Sequence, residues 1–236
     1  MNFTFPLFQS PRKIARQKRN NNELPHFMSG YYDAVTRFNP NTPIDEVRFV
    51  VFDTETTGLD PKVDEIISIG AVAVQHMAID VSDSLEILVN SCSLQQSSHE
   101  SVEVHQILNA ELQLAQNDLR AVESFISFCK GDVLVAHFVE FDAKMVSKLM
   151  KRHFQFPLIS PLLDTIQLAR RLDDPFGNAP HKQGAYSLDT LCEKYDLSIT
   201  GRHTAAGDAL ATAELLLILL RQARKKGICK LGDLLK

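Results

Sequence analysis

Two acids, Asp53 and Glu55, close an apolar run in the stretch RFVVFDTETTGLDP, residues 48–61. Side chains alternate along a strand, so the two carboxylates share a face. There they repel each other, and burying them is unfavourable unless something positive sits between them. Two further acids lie at the edges of apolar segments: Asp142 after VLVAH, and Asp208 at the head of DALATAELLLILL. His203 precedes Asp208 by five residues in GRHTAAGD. Five residues are about 140° around an α-helix, so the histidine cannot share the face of Asp208 on one continuous helix and belongs to the loop leading in. Four carboxylates and a loop histidine suit phosphodiester hydrolysis with two hard divalent cations. The acids hold the cations, the cations clamp the attacking and leaving oxygens, and the histidine takes the proton of the attacking water. Metal, rather than a side chain, then neutralises the Asp53–Glu55 pair. Each residue alone has a plainer reading: an exposed turn for the pair, a helix-dipole acid for Asp142 or Asp208, a surface polar group for His203.

The hydrophobic pattern supplies the elements that must position these residues. Residues 48–55, 65–76 and 84–90 read as three strands, with a turn at Asp60-Pro61, which predicts an antiparallel meander. A polar loop follows. Helical spacing over 117–129 puts Leu119, Val122, Phe125, Ile126 and Cys129 on one face. Residues 132–137 read as a short strand, and 140–153 as a helix with Phe141, Met145, Leu149 and Met150 on its apolar side. PLLDTIQLARRL predicts a brief strand running into a helix, 172–186 a loop, and Ser187 a cap for LDTLCEKYD. A long helix over 208–226 ends at Gly227. The fold class is α/β, with a mixed central sheet flanked by helices.

Composition narrows the classes. The 236 residues are 44% hydrophobic and 23% charged, as in an ordinary globular protein. Cys92, Cys129, Cys192 and Cys229 form no CxxC pair, and reduced thiols in a cytoplasmic protein are the simpler reading. No apolar run approaches the ~18–20 residues of a membrane span. The opening MNFTFPLF lacks the basic region and cleavage site of a secretory signal. Residues 1–22 carry five basic side chains and no acid, whereas the remainder sets 20 Lys+Arg against 29 Asp+Glu, a net −9. We expect residues 1–44 to be a basic extension, with a short helix over 11–19, and a linker with one short helix near Tyr31–Phe38. Residues 45–236 would then be the catalytic domain. The arm is either a solvated tail or a contact for a polyanion or a protein partner.

Three blocks, in order, resemble the motifs of the DEDDh 3′–5′ exonucleases, the family of the epsilon proofreading subunit of bacterial DNA polymerase III and of RNase T. They are FVVFDTETTGLDP, VAHFVEFDAKMV and RHTAAGDALATAELLL, and LLDTIQLAR and SLDTLCEKY resemble the connecting segments. The resemblance spans about residues 47–222 and implies a ribonuclease-H-like fold. It implies Asp53, Glu55, Asp142 and Asp208 as ligands of two Mg²⁺ or Mn²⁺ ions, His203 as general base, and release of nucleoside 5′-monophosphates from a 3′ end. It further implies that Thr56 offers its backbone to the terminal nucleotide and that Leu59 wedges against the terminal bases. The alternative for Leu59 is packing on the domain. Two positions depart from the pattern: Phe138 stands where the family has Asn, and Gln106 where it often has Gly beside a histidine, here His105.

Phe138 and Phe141 could stack on bases, although Phe141 also fits the core. Lys144, Lys148, Lys151 and Arg152 recur along one helix, either as a solvated face or as phosphate contacts. The expected partners are 3′ ends of nucleic acid, single-stranded DNA first, and a DNA polymerase or other protein at the arm. The alternatives are an RNA-trimming or small-oligonucleotide nuclease and a catalytically silent binding module.

Overall fold

The computed structural model describes residues 20, 24–90, 115–175, 184–198 and 200–236. The basic arm (Asn20 apart), the helix expected over 11–19, His105, Gln106 and most of the 172–186 loop lie outside the described residues.

The sheet has six strands: β1 (Phe49–Thr56), β2 (Ile66–Gln75), β3 (Ala78–Asn90), β4 (Gln116–Asn117), β5 (Val133–Ala136) and β6 (Leu162–Asp164). Their spatial order is β4-β3-β2-β1-β5-β6. β1 pairs antiparallel with β2 and parallel with β5, so the sheet is mixed and the meander is present. β3 begins six residues before the expected start, because its first half, AIDVSD, is largely exposed and too polar to read as a strand.

Helices cover both faces. Val50 and Phe52 of β1 pack with α1 (His26–Thr36), α2 (Asp118–Cys129) and α3 (Val139–Phe154). Phe49 and Val51, on the alternate face, pack with α4 (Thr165–Asp173), α5 (Leu188–Lys194), α6 (Ala205–Lys225) and α7 (Leu231–Leu234). Most expected elements fall in place, with two corrections. The short helix of the presumed linker is α1, and it is packed rather than tethered: Met28, Tyr31 and Val35 are buried, and the Tyr31 hydroxyl accepts from the Ile159 and Ser160 amides at 3.0 and 2.9 Å. Leu119 sits in the first turn of α2 and is 36% exposed, while Val122, Phe125, Ile126 and Cys129 are buried as expected.

One contact sets the position of α6. Gly70 of β2 lies in register with Asp53. A Cβ on Gly70 would meet the carbonyl carbon of Ala205 at 2.2 Å and the nitrogen of Ala206 at 2.3 Å. The first turn of α6 therefore rests on a bare strand, and only glycine permits that approach. Gly30, on α1, has nothing within 4 Å of the same position. Gly70→Ala should destabilise the protein by ~1–3 kcal/mol through overpacking against backbone. Gly30→Ala should instead be neutral or stabilise by up to ~1 kcal/mol. Denaturant midpoints of the two variants check this, and equal midpoints would show that α6 does not bear on β2.

Candidate active site

Asp53 and Glu55 project from the last residues of β1 toward the face covered by α6. Pairing with β2 shifts register between Glu55 and Thr56, the kind of irregularity that re-aims a side chain at a strand end. Asp208 enters from the first turn of α6, where the helix dipole favours a carboxylate. Thr204 caps that helix, its hydroxyl accepting from the Gly207 amide at 3.1 Å. Asp53, Glu55 and Asp208 each present an oxygen within 4.8 Å of the others. Asp142 stands apart from this trio. It is buried in the first turn of α3, and its Oδ1 accepts from the amide and the hydroxyl of Thr54, at 3.0 and 2.7 Å. Thr54 points to the opposite face from its two acidic neighbours, so one oxygen of Asp142 is spent anchoring α3 to β1.

Crowding and burial raise the acids' proton affinity. Burial pushes Asp53 well above the usual carboxylate range, and the charges of Asp142, Asp208 and Glu55 add to it. Burial, with Asp208 beside it, takes Glu55 to about 7. Burial also takes Asp142 to about 7, against the two Thr54 hydrogen bonds that favour its ionised form. Arg202 opposes the build-up. Its guanidinium pairs with Asp208 Oδ1 and donates through Nε to Asp189 of α5 at 2.8 Å. These two carboxylates outweigh partial burial and raise the Arg202 pKa. Among the described residues, one cation beside four acids leaves an excess of negative charge. An all-oxygen donor set of this kind fits a hard divalent cation.

The remaining expected residues line the rim. His203 occupies the turn before α6, as the five-residue spacing requires, exposed and with φ 62°. Among the described residues it makes no hydrogen bond to any of the four acids. Leu59 is 86% exposed on the loop from β1 to β2, so it does not pack on the domain. Asp64 stiffens that loop by accepting from the Thr57 hydroxyl at 2.9 Å and the Asp60 amide at 2.8 Å. The Thr56 hydroxyl donates to the Gly58 carbonyl at 2.7 Å. Phe138, before α3, is 58% exposed with φ 74° and ψ 51°. A bulky residue is strained in that left-handed conformation, which asparagine tolerates better. Asp164 serves both neighbouring helices, accepting from the Val139 amide at 2.9 Å and the Ile166 amide at 2.8 Å. Phe141 is partly buried against the core.

A family model for exonucleases, RNase T, matches residues 50–216. The chain belongs to this exonuclease family. Curated relatives of this exonuclease chain include the PolC-type DNA polymerase III of Thermotoga petrophila, 31% identical over 89% of this chain and 14% of that protein. The DNA polymerase III subunit epsilon-like protein of Rhodobacter capsulatus is 36% identical over 82% of this chain and 27% of that protein. The chain thus spans a quarter or less of most of the curated relatives it matches, between 12% and 27%. Among solved structures, E. coli exonuclease I in complex with a dT13 oligonucleotide superposes with a TM-score of 0.65 at 16% identity, over 77% of this chain and 43% of that one. Cell-death related nuclease 4 gives 0.64 at 19%, over 75% and 64%. These neighbours share the ribonuclease-H-like fold.

Sequence reasoning missed Arg202, Thr54 and Gly70. Arg202 sat unremarked beside His203, and its partner Asp189 is 13 residues away on another element. The raised acids give a pH prediction for the metal-free exonuclease. Glu55 and Asp142 titrate near 4.5 and 3.8 unfolded but at about 7 folded. The folded state binds more protons in that window, so these groups' stabilisation is lost as pH rises through it. Glu55→Gln should therefore be more stable than wild type at pH 8 in EDTA, by on the order of 1–2 kcal/mol after solvent screening, with the gap closing toward pH 4.5. Thermal melts across pH decide it, and parallel curves would contradict it.

Proposed function

We propose that this chain is a metal-dependent 3′–5′ exonuclease of the histidine-bearing DEDDh type, releasing nucleoside 5′-monophosphates from the 3′ end of nucleic acid. The observation that carries the reading is the trio Asp53, Glu55 and Asp208, brought within 4.8 Å in a member of an exonuclease family. Those three acids, with Asp142 beside them, would hold Mg²⁺ or Mn²⁺, two ions in all. When bound, the ions supply positive charge that polarises the phosphodiester and eases deprotonation of the attacking water. His203 then takes that proton. Its place on an exposed turn lets it reach water and pass the proton to solvent. The Thr56 backbone and Leu59 bind the terminal nucleotide, with Leu59 displayed for contact with bases. Phe138 offers an aromatic face to a neighbouring base, a contact worth ~1–3 kcal/mol without sequence preference. Arg202, paired with both Asp208 and Asp189, would leave Asp208 free to hold a cation by keeping Asp189 as its partner.

DNA is the favoured substrate, because the curated relatives are named as PolC-type DNA polymerase III and as an epsilon-like protein. Proofreading or repair in the cytoplasm is the setting this suggests, with a polymerase or another protein as partner of the basic arm. Among the described residues no helix is long and apolar enough to cross a membrane.

Purified protein should degrade a 5′-labelled single-stranded oligonucleotide as a descending ladder with Mg²⁺ or Mn²⁺ and not in EDTA. A blocked 3′ end should stop it. Asp53→Asn and Asp208→Asn should each lower kcat by at least ~10²-fold. Hydrolysis in chelator, or rapid cutting of circular DNA, would overturn the reading.

A further inference from the structure

A groove of about 690 Å³ runs along the exposed face of α3. Lys62, Lys144, Lys148 and Lys151 line it, against a single acid, Glu140. This is the reverse of the molecule at large, which is net acidic outside its first 22 residues. The groove meets the loop that displays Leu59: Pro61 and Lys62 of that loop line it, and Lys148 donates to the carbonyl of Asp64 at the loop's far end, at 2.6 Å. From Lys144 the lysines recur at i+4 and i+7, one face of a helix, spaced ~6 and ~10 Å along its axis. Like charges at that spacing repel one another along the helix.

The charges are not all spent internally. Arg152, which follows the row in sequence, turns away to Glu65 and Asp118 at 2.6 and 3.0 Å. Lys148 is held by Glu65 at 3.1 Å and by the Asp64 carbonyl at 2.6 Å, which fixes it in the wall. Lys144 is paired with Glu140 at 3.0 Å, an exposed pair that water and salt readily exchange. Lys62 and Lys151 are exposed and have no carboxylate partner among the described residues. Apolar floor and walls, with Ala143 and Leu162, suit sugars and bases, and the ammonium groups suit phosphates.

We propose that this groove carries the single strand 5′ of the scissile bond, gripping its phosphodiesters through Lys62, Lys144 and Lys151. The proposal rests on the exonuclease reading for the polarity of the strand, but its occupant is set by charge and by continuity with the site. A grip on phosphates reads no sequence, as a nuclease moving along a strand requires. It also gives the enzyme a hold on the strand while the terminal nucleotide is exchanged.

Lys62→Ala/Lys151→Ala tests it, since neither residue holds a described ion pair whose loss would disturb the fold. The dissociation constant of 5′-fluorescein dT12 is measured by anisotropy in EDTA at several salt concentrations, for wild type and variant. Each phosphate that the protein no longer neutralises flattens the slope of log affinity on log salt by ~0.7 for a single strand, so the slope of the double variant should be shallower by ~1.4. Lys62→Glu/Lys151→Glu should flatten it further. Parallel lines for both variants would overturn the proposal and leave the groove to a protein partner. Hydrolysis of the same dT12 by wild type with Mn²⁺ is scored separately. Hydrolysis with parallel lines removes the groove and keeps the nuclease, and a changed slope without hydrolysis keeps the groove and removes the nuclease.

Discussion

Mutual repulsion among buried and half-buried carboxylates is the constraint around which this molecule is built. Asp53, Glu55 and Asp208 share a space of a few ångströms, with Asp142 close enough to raise the proton affinity of Asp53. Water would separate such charges, and the fold holds them together instead. β1 is an inner strand, clamped between β2 and β5. α6 is seated on Gly70 and buries Leu215, Leu216, Leu219 and Leu220, an anchorage well able to offset the repulsion at its first turn. Asp142 is tied to Thr54 from the other face. Arg202 and the helix dipole offset part of the charge, and the rest is the driving force for a cation.

Around this rigid centre the groups expected to meet substrate are exposed. Leu59 stands on a loop braced by Asp64, and His203 and Phe138 both sit in left-handed conformations at helix starts. Histidine visits that region at modest cost, but phenylalanine does not. Strain of this sort, ~1–3 kcal/mol, persists where surrounding structure imposes it. Here Asp164 fixes the amide of Val139 and with it the turn that displays the ring. The phenyl group therefore stands exposed at the start of α3.

Much of this was legible in the sequence, for identifiable reasons. β1, β2 and α6 announce themselves because both faces of the strands and one broad face of the helix are apolar. The acids could be singled out because they interrupt those runs. His203 could be placed on a loop because helical geometry forbids it the face of Asp208. What escaped was long-range. Nothing near α1 says that Met28 and Val35 are core residues rather than parts of a linker. The separation of Asp142 from the other three acids depends on Thr54, whose hydroxyl is unremarkable in a strand. Arg202 reads as one more basic residue until Asp208 and Asp189 are seen on either side of it. Gly70 is silent in any local pattern, because its reason is the backbone of a helix 135 residues later.

The central claim is that a cation replaces protons and an arginine as the partner of the acid cluster. Metal ligands must be deprotonated, so binding at a site with raised proton affinity must expel protons. Titrating Mn²⁺ into the metal-free protein in weakly buffered solution at pH 6.5, with proton release followed by pH-stat, measures this directly. The account predicts proton release that saturates with metal binding, shrinks by pH 8.5, and is reduced in Glu55→Gln. Binding of Mn²⁺ at pH 6.5 without proton release, or no binding at all, would contradict it.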